Sequence, residues 1–164
     1  MKFADAKEYF RKLHNILYAI ILAPVLSFGY IYLEAGYGND PMPVPAHADV
    51  RTYLLAFALV ALVTFSIATF LRRLREIRQL DLLTDRLSGY ANAVIARFAV
   101  ASVGGFAGVA GLYFTNDPIH VGLFVLLLIM ISAWWPSASR VCRHLRLGKE
   151  EREWVMGKRG AERV

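Results

Sequence analysis

Four histidines and a single cysteine are the side chains of this sequence best suited to hold a metal or act in catalysis. His14 and His144 lie near one end of the predicted helices, and His47 and His120 lie near the other. Neither pair has the i,i+4 spacing or the neighbouring carboxylates that a metal site needs. Cys142 has no second cysteine with which to form a disulfide or a cysteine-based zinc site. We therefore expect interfacial histidines, no metal and no cofactor.

Other catalytic signatures are missing from the sequence as well. It contains no nucleophile elbow, no phosphate-binding loop and no dinucleotide fingerprint. Proton-coupled transporters usually depend on an intramembrane carboxylate, and no Asp or Glu falls inside the apolar stretches defined below. Arg97 is the one charged residue near such a stretch. Its side chain either snorkels to the headgroups or presents a fixed charge to a partner or substrate. The sequence predicts a protein that is not an enzyme.

Four apolar stretches must position all of these residues. Hydrophobic residues make up 57% of the 164-residue chain. Each stretch is close to the length of ~20 residues that a helix needs to cross a bilayer. This pattern predicts a single all-α membrane domain, with four transmembrane helices and amphipathic cytoplasmic juxtamembrane helices. The predicted spans are approximately residues 14–33, 51–71, 94–114 and 119–135, followed by a cytoplasmic tail at 136–164.

The third stretch is rich in small residues at helical spacing. Small residues three and four apart line up on one side of a helix and let other helices approach closely in lipid. We expect this helix to be central, with Ala61, Thr64 and Ala68 of the second stretch as its partner face. The spacing leaves open whether the groove packs within one chain or between two copies. We call it the glycine face, and its residues are Ala101, Gly104, Gly105, Gly108 and Gly111.

The segments between the spans carry their own signals. Residues 1–13 have an amphipathic pattern that predicts a short helix at the headgroup boundary. Alternating prolines at Pro41–Pro45 predict a stiff extended loop. A leucine stripe suggests that the second helix continues over Arg72–Leu87, with Ser88 and Gly89 as its stop signal.

The segment after the fourth stretch is predicted to lie flat on the cytoplasmic leaflet. Pro136 redirects the chain, and Ser137–Leu147 places Val141 and Leu145 opposite a row of arginines. Each base near an anionic surface contributes about 1 kcal/mol. The expected interface anchors are Trp134, Trp135, Arg140, Arg143 and Arg146.

The charge distribution predicts the orientation. The net charge is +6, and the bases flank apolar stretches, which indicates anionic lipid headgroups rather than nucleic acid. Of the 19 lysines and arginines, all except Arg51 fall on one side of the predicted topology. The positive-inside rule then makes both termini cytoplasmic.

The C-terminal half carries a set of spaced motifs. They are Leu83–Leu87, Tyr90–Arg97, Leu112–Asn116, Trp135–Ser137, Arg140 and Leu145–Leu147. This set resembles an uncharacterised family of small bacterial four-span membrane proteins, in which a K-L-x-x-Y-x-x-A-x-I-x-R segment precedes the third span, and a Pro-Ser/Thr motif and a D-L-x-L-like segment follow the fourth. This chain has Arg86 in place of the lysine, and His144-Leu145 where an acid followed by leucine is common. The resemblance implies four spans and a bacterial inner membrane, and it implies no molecular activity.

Two functions from different classes fit these observations. The first is a non-enzymatic accessory or structural subunit, or an organiser, of a membrane complex, with a membrane-protein partner or through self-association. The second is a homo-oligomeric small channel or transporter, whose path would be lined by hydroxyl side chains. Those hydroxyls are Thr64, Ser66, Thr69 and Ser102.

Overall fold

The computed structural model describes residues 6–34, 50–115 and 117–157. Within these ranges the chain is helical apart from short connections, which confirms the predicted all-α class. Residues 1–5, the proline-rich loop, His47, Asn116 and the end of the tail lie outside the described residues. The helices are α1 (Ala6–Glu34), α2 (Val50–Ile77), α3 (Leu83–Thr115), α4 (Ile119–Ala133), α5 (Ala138–Leu145) and α6 (Lys149–Val155).

Three of these helices, α1 to α3, are long and apolar enough to cross a membrane. The fourth, α4, has only 15 residues, and a 75° bend separates it from α5. Large apolar side chains point outward from the bundle, as Phe57 does with 74% of its surface exposed. Length and composition therefore fit a multi-pass membrane protein with three to four spans.

Helix α1 is continuous from Ala6, so the amphipathic stretch at its start is the first part of the long helix. Tyr9, Leu13 and Leu17 of this stretch are buried in the protein core. The Tyr9 hydroxyl also donates to the carbonyl of Leu87 on α3, at 3.0 Å. The apolar stripe thus packs on protein, and its hydrogen bond fixes the start of α1 against α3.

Helix α3 lies at the centre, with α1, α2 and α4 packed around it. All five residues of the glycine face are buried. A methyl group added at Gly105 would lie 3.0 Å from Cβ of Pro24 on α1. One added at Gly104 would lie 3.6 Å from a methyl of Leu59 on α2. The missing side chains therefore let two neighbouring helices approach α3.

The face that α2 turns to α3 differs from the predicted one. Ala61, Thr64 and Ala68 are exposed, whereas Leu59 and Ser66 are buried. The prediction of a small face on α2 was therefore wrong. One small face is enough for a close approach, because a large side chain such as Leu59 fills the space left by glycine.

The connection between α2 and α3 also lies elsewhere than predicted. Helix α2 ends at Ile77 and α3 begins at Leu83, so Ser88 and Gly89 stand inside α3 and the predicted continuous helix over Arg72–Leu87 is wrong. A methyl group added at Gly89 would lie 3.0 Å from Cγ1 of Ile77. Gly89 thus permits close packing of the two helices beside their turn instead of ending a helix.

Helix α5 folds back against the bundle. Val141 is fully buried and Leu145 is 2% exposed, both in the core that contains Leu13, Leu17 and Leu87. The predicted apolar stripe therefore faces protein. A contact of this segment with the leaflet stays a prediction.

Candidate functional site

The basic end is the end of the bundle where α1 starts, α2 ends, α3 starts and α5 and α6 pack. Among the described residues, every lysine and arginine except Arg51 belongs to this half of the structure. Elements far apart in sequence meet here, since the side chain of Arg78 on α2 donates to the carbonyl of His144 on α5 at 2.7 Å. This end therefore combines positive charge with a fixed tertiary structure.

Arg97 is the deepest cation of the basic end. Its guanidinium carbon lies 3.6 Å from the centre of the Trp134 ring and 4.8 Å from that of Phe70. Its Nε is buried and has no hydrogen-bond partner within the part of the chain that the structure describes. The aromatic faces thus hold the charge between α2 and α4 through cation–π attraction.

A hydrogen-bonded pair lies next to this cation. The Tyr90 hydroxyl and Nδ1 of His144 are 3.1 Å apart. His144 lies on α5, past the end of the apolar α4. Burial lowers its pKa, and the charges of Arg143, Arg78, Arg97 and Arg140 lower it further. Both causes favour the neutral form of His144.

An open pocket of about 550 Å³ lies between α5 and α6. We call it the arginine pocket. Its volume falls in the range of roughly 300–1,000 Å³ that is usual for small-molecule sites. It is lined by Ser139, Arg140, Cys142, Arg143, Leu147 and Arg152.

The arginine pocket forms because the chain reverses between its two helices. Arg146 caps α5 in the left-handed conformation, with φ of 52°, and α6 begins at Lys149. Arg140 is held at the pocket by hydrogen bonds from its Nη1 to the carbonyls of Ala133 and Trp135. The turn thus brings Arg152 of α6 beside the arginines of α5.

The predicted interface anchors fall into four places. Trp134 stacks on Arg97, and Trp135 packs against His14, with ring centres 5.4 Å apart. Arg140 and Arg143 line the arginine pocket, and Arg146 does not. Sequence reasoning missed Ser139 and Arg152 as members of a site. The one available signal was the helical spacing of Ser139, Cys142 and Arg143, which places these three side chains on the same side of α5.

The three described histidines, His14, His120 and His144, lie in different places and do not form one site. Nε2 of His14 lies 3.0 Å from the carbonyl of Pro136 and so ties α1 to the α4–α5 connection. His120 is buried at the opposite end, and its Nε2 has no partner in the described structure. Asp117 beside it accepts from the Thr52 hydroxyl at 3.3 Å and from the backbone N–H of Ile119 at 2.9 Å. This carboxylate therefore accepts a hydrogen bond from the first backbone N–H of α4 and links it to α2.

The hydroxyls of the alternative transport path all donate to backbone carbonyls. Ser102 donates to a carbonyl of α1 at 3.1 Å, and Ser66 donates to the carbonyl of Arg97 on α3 at 3.5 Å. Thr64 and Thr69 donate to carbonyls of their own helix, α2. Thr69 also donates to the carbonyl of Ser66 at 3.0 Å, so these two residues are neighbours on α2.

No group of three potential metal ligands occurs in residues 6–34, 50–115 and 117–157. No family profile matches the chain, and neither a curated protein nor a solved structure shows significant similarity to it.

Proposed function

We propose that this chain is a four-span protein of the bacterial inner membrane with both termini in the cytoplasm. Helix α4 supports the fourth span because it extends alongside α3. Its start packs His120 on Gly111, and its end stacks Trp134 on Arg97. The two contacts are 14 residues apart on each helix, which corresponds to about 21 Å along the helix axis and so across the membrane. Such a short span is accommodated by local thinning of the bilayer and by interfacial tryptophans.

The orientation follows from the basic end. Because cytoplasmic segments carry an excess of lysine and arginine, the half of the structure that contains α5 and α6 faces the cytoplasm. The family resemblance in the C-terminal half supports the bacterial inner membrane.

In this membrane the protein acts as a non-enzymatic accessory or structural subunit, or an organiser, of a larger complex. The observation that carries this proposal is the docking of α5 into the core, through Val141 and Leu145. It gives the cytoplasmic side a fixed cationic surface. Arg72, Arg73 and Arg75 at the end of α2 are exposed on that side. A membrane protein with an acidic cytoplasmic face would complement this surface electrostatically.

A homo-oligomeric channel or transporter is the second candidate. The evidence for its proposed path is weak, because each of the four hydroxyls already donates to a backbone carbonyl. We therefore favour the accessory subunit.

Purification from native membranes in mild detergent, followed by mass spectrometry, tests the choice. We expect a partner in fixed stoichiometry, whose recovery falls when Arg72→Gln and Arg73→Gln are combined. The matched control combines Lys7→Gln with Arg11→Gln, which removes two exposed charges from α1 at the same end. A clean homo-oligomer in both variants would instead favour the channel.

A further inference from the structure

We propose that the arginine pocket is a binding site for a phosphate-bearing anion, with Arg143 and Arg152 as its principal ligands. This inference goes beyond the proposed function and does not depend on any protein partner.

The chemistry of the lining points to this class of ligand. Three of the six lining residues are arginines, and Ser139 adds a hydroxyl. Arginine presents several N–H donors in a rigid plane and binds phosphate through two of them at once. The volume of about 550 Å³ also leaves room for more than a single water or chloride.

The residues that line the pocket are basic, polar or apolar. No carboxylate of the described residues lines it. Glu151, which is on the same helix as Arg152, lies 3.7 Å from Arg86 and accepts from the backbone N–H of Gly148 at 2.9 Å. The carboxylate of Glu151 is therefore engaged with Arg86 and with the start of α6.

Part of the pocket is organised before any ligand binds. The hydrogen bonds of Arg140 to the carbonyls of Ala133 and Trp135 hold its guanidinium at the end of α4. Arg143 and Arg152 are exposed at the surface, so they can turn toward an incoming anion. Binding then costs less side-chain entropy than it would with three mobile arginines.

The position of the pocket favours a phospholipid headgroup as the source of the phosphate. Trp134 and Trp135 mark the end of the apolar α4, and Arg140 joins the pocket directly to that end. Basic pockets at the cytoplasmic ends of transmembrane helices are known to take anionic headgroups. A soluble phosphate compound has the same recognition chemistry, so the experiment must separate the two.

Cys142 provides a readout because it lines the pocket. Only 6% of its surface is exposed, so a ligand bound in the pocket should further restrict access of an alkylating reagent to the thiol. The purified full-length protein in neutral detergent is mixed with phosphatidylglycerol, phosphatidylcholine or inorganic phosphate at constant ionic strength. The rate of Cys142 alkylation and the melting temperature are then measured. With ligand about tenfold above its dissociation constant, we expect alkylation to slow about tenfold and the melting temperature to rise.

Charge-matched variants test the location. Arg143→Gln and Arg152→Gln should lose most of the protection, whereas Arg146→Gln, which removes the same charge from an exposed residue outside the pocket, should keep it. Protection by phosphatidylglycerol alone identifies a lipid headgroup, and protection by inorganic phosphate alone identifies a soluble ligand. The proposal is overturned if neither compound protects, or if Arg146→Gln loses as much protection as Arg143→Gln.

Discussion

The hydroxyl of Ser102 on α3 lies 3.1 Å from the carbonyl oxygen of Ile20 on α1 and donates to it. In a regular helix that carbonyl would accept from the N–H of residue 24, but Pro24 has no N–H. Because hydrocarbon offers no water to the carbonyl, a side chain from a neighbouring helix must satisfy it. The hydroxyl of Ser102 therefore replaces the hydrogen bond that Pro24 removes from α1.

This relationship predicts non-additive substitutions. Ser102→Ala should destabilise the protein by about 0.6 kcal/mol, the average measured for hydrogen bonds between membrane helices, and by no more than about 1.7 kcal/mol, the largest such value. In a Pro24→Ala background the same change should cost less, because the substituted alanine supplies the missing N–H. The free energy of unfolding in detergent, measured for the original protein, both single variants and the double variant, gives the coupling between the two residues. Thr64→Ala serves as a control, since its hydroxyl bonds within its own exposed helix face, and equal costs of Ser102→Ala in both backgrounds would refute the prediction.

The glycine face predicts a ranking of substitutions. Gly111→Ala should be the most damaging alanine variant, because the new methyl would lie 2.8 Å from atoms of the His120 ring. Overpacking of this kind costs about 1–3 kcal/mol. Gly108→Ala should be mild, with Phe124 at 3.7 Å, whereas the larger Gly108→Leu should also cost about 1–3 kcal/mol.

Gly122→Ala is the control for this series, since nothing lies within 4 Å of its added methyl. Melting temperatures in detergent give the ranking. A Gly111→Ala protein as stable as Gly122→Ala would mean that α3 and α4 are farther apart than described.

The stack of Arg97 on Trp134 predicts coupling between these two side chains. A desolvated cation–π pair contributes about 2 kcal/mol, so Arg97→Gln and Trp134→Leu should each destabilise the protein by up to that amount. The double variant should lose less than the sum of the two. Arg73→Gln, an exposed charge on α2, should change the melting temperature little, and strict additivity would show that the stack contributes nothing.

Because α5 packs into the core, we expect its buried Leu145 to contribute more to the stability of the protein than its exposed arginines do. Leu145→Ala should cost about 2–5 kcal/mol, as is typical for large-to-small changes in a core. Arg146→Ala, at the adjacent exposed position, should cost far less. Detergent melting of both variants checks this, and equal small effects would mean that α5 is detached from the bundle.

The proposed topology predicts a labelling pattern in intact cells. In a Cys142→Ala background, cysteines at Asn39 and Asn116 should react with a membrane-impermeant maleimide from outside. A cysteine at Arg146 should react only after the membrane is opened, and tags at Met1 and Val164 should both report cytoplasm. Labelling at Asn39 that requires lysis would reverse the orientation.

Sequence patterns predicted the all-helical class and the apolar stretches, because the hydropathy of a segment depends only on its own residues and not on tertiary contacts. They failed at the α2–α3 turn, where a leucine stripe runs on through Leu80 although the helix has already ended at Ile77. Periodicity cannot show that Gly89 faces Ile77, since this contact needs both helices in place. Arg140 and Arg143 were singled out by their charge. The pocket around them also needs Arg152, which a left-handed residue at Arg146 brings alongside.

The buried position of α5 has a consequence for how the protein is made. The core at the basic end draws Leu13 and Leu17 from the beginning of the chain, and Val141 and Leu145 from near its end. Chain elongation delivers α5 after all the apolar helices, so part of that core stays uncovered until α5 has been synthesised. A nascent chain halted before Pro136 would still expose, at the basic end, the leucine side chains against which α5 packs. A copy that lacks α5 therefore differs from one that has it by an exposed apolar surface at this end.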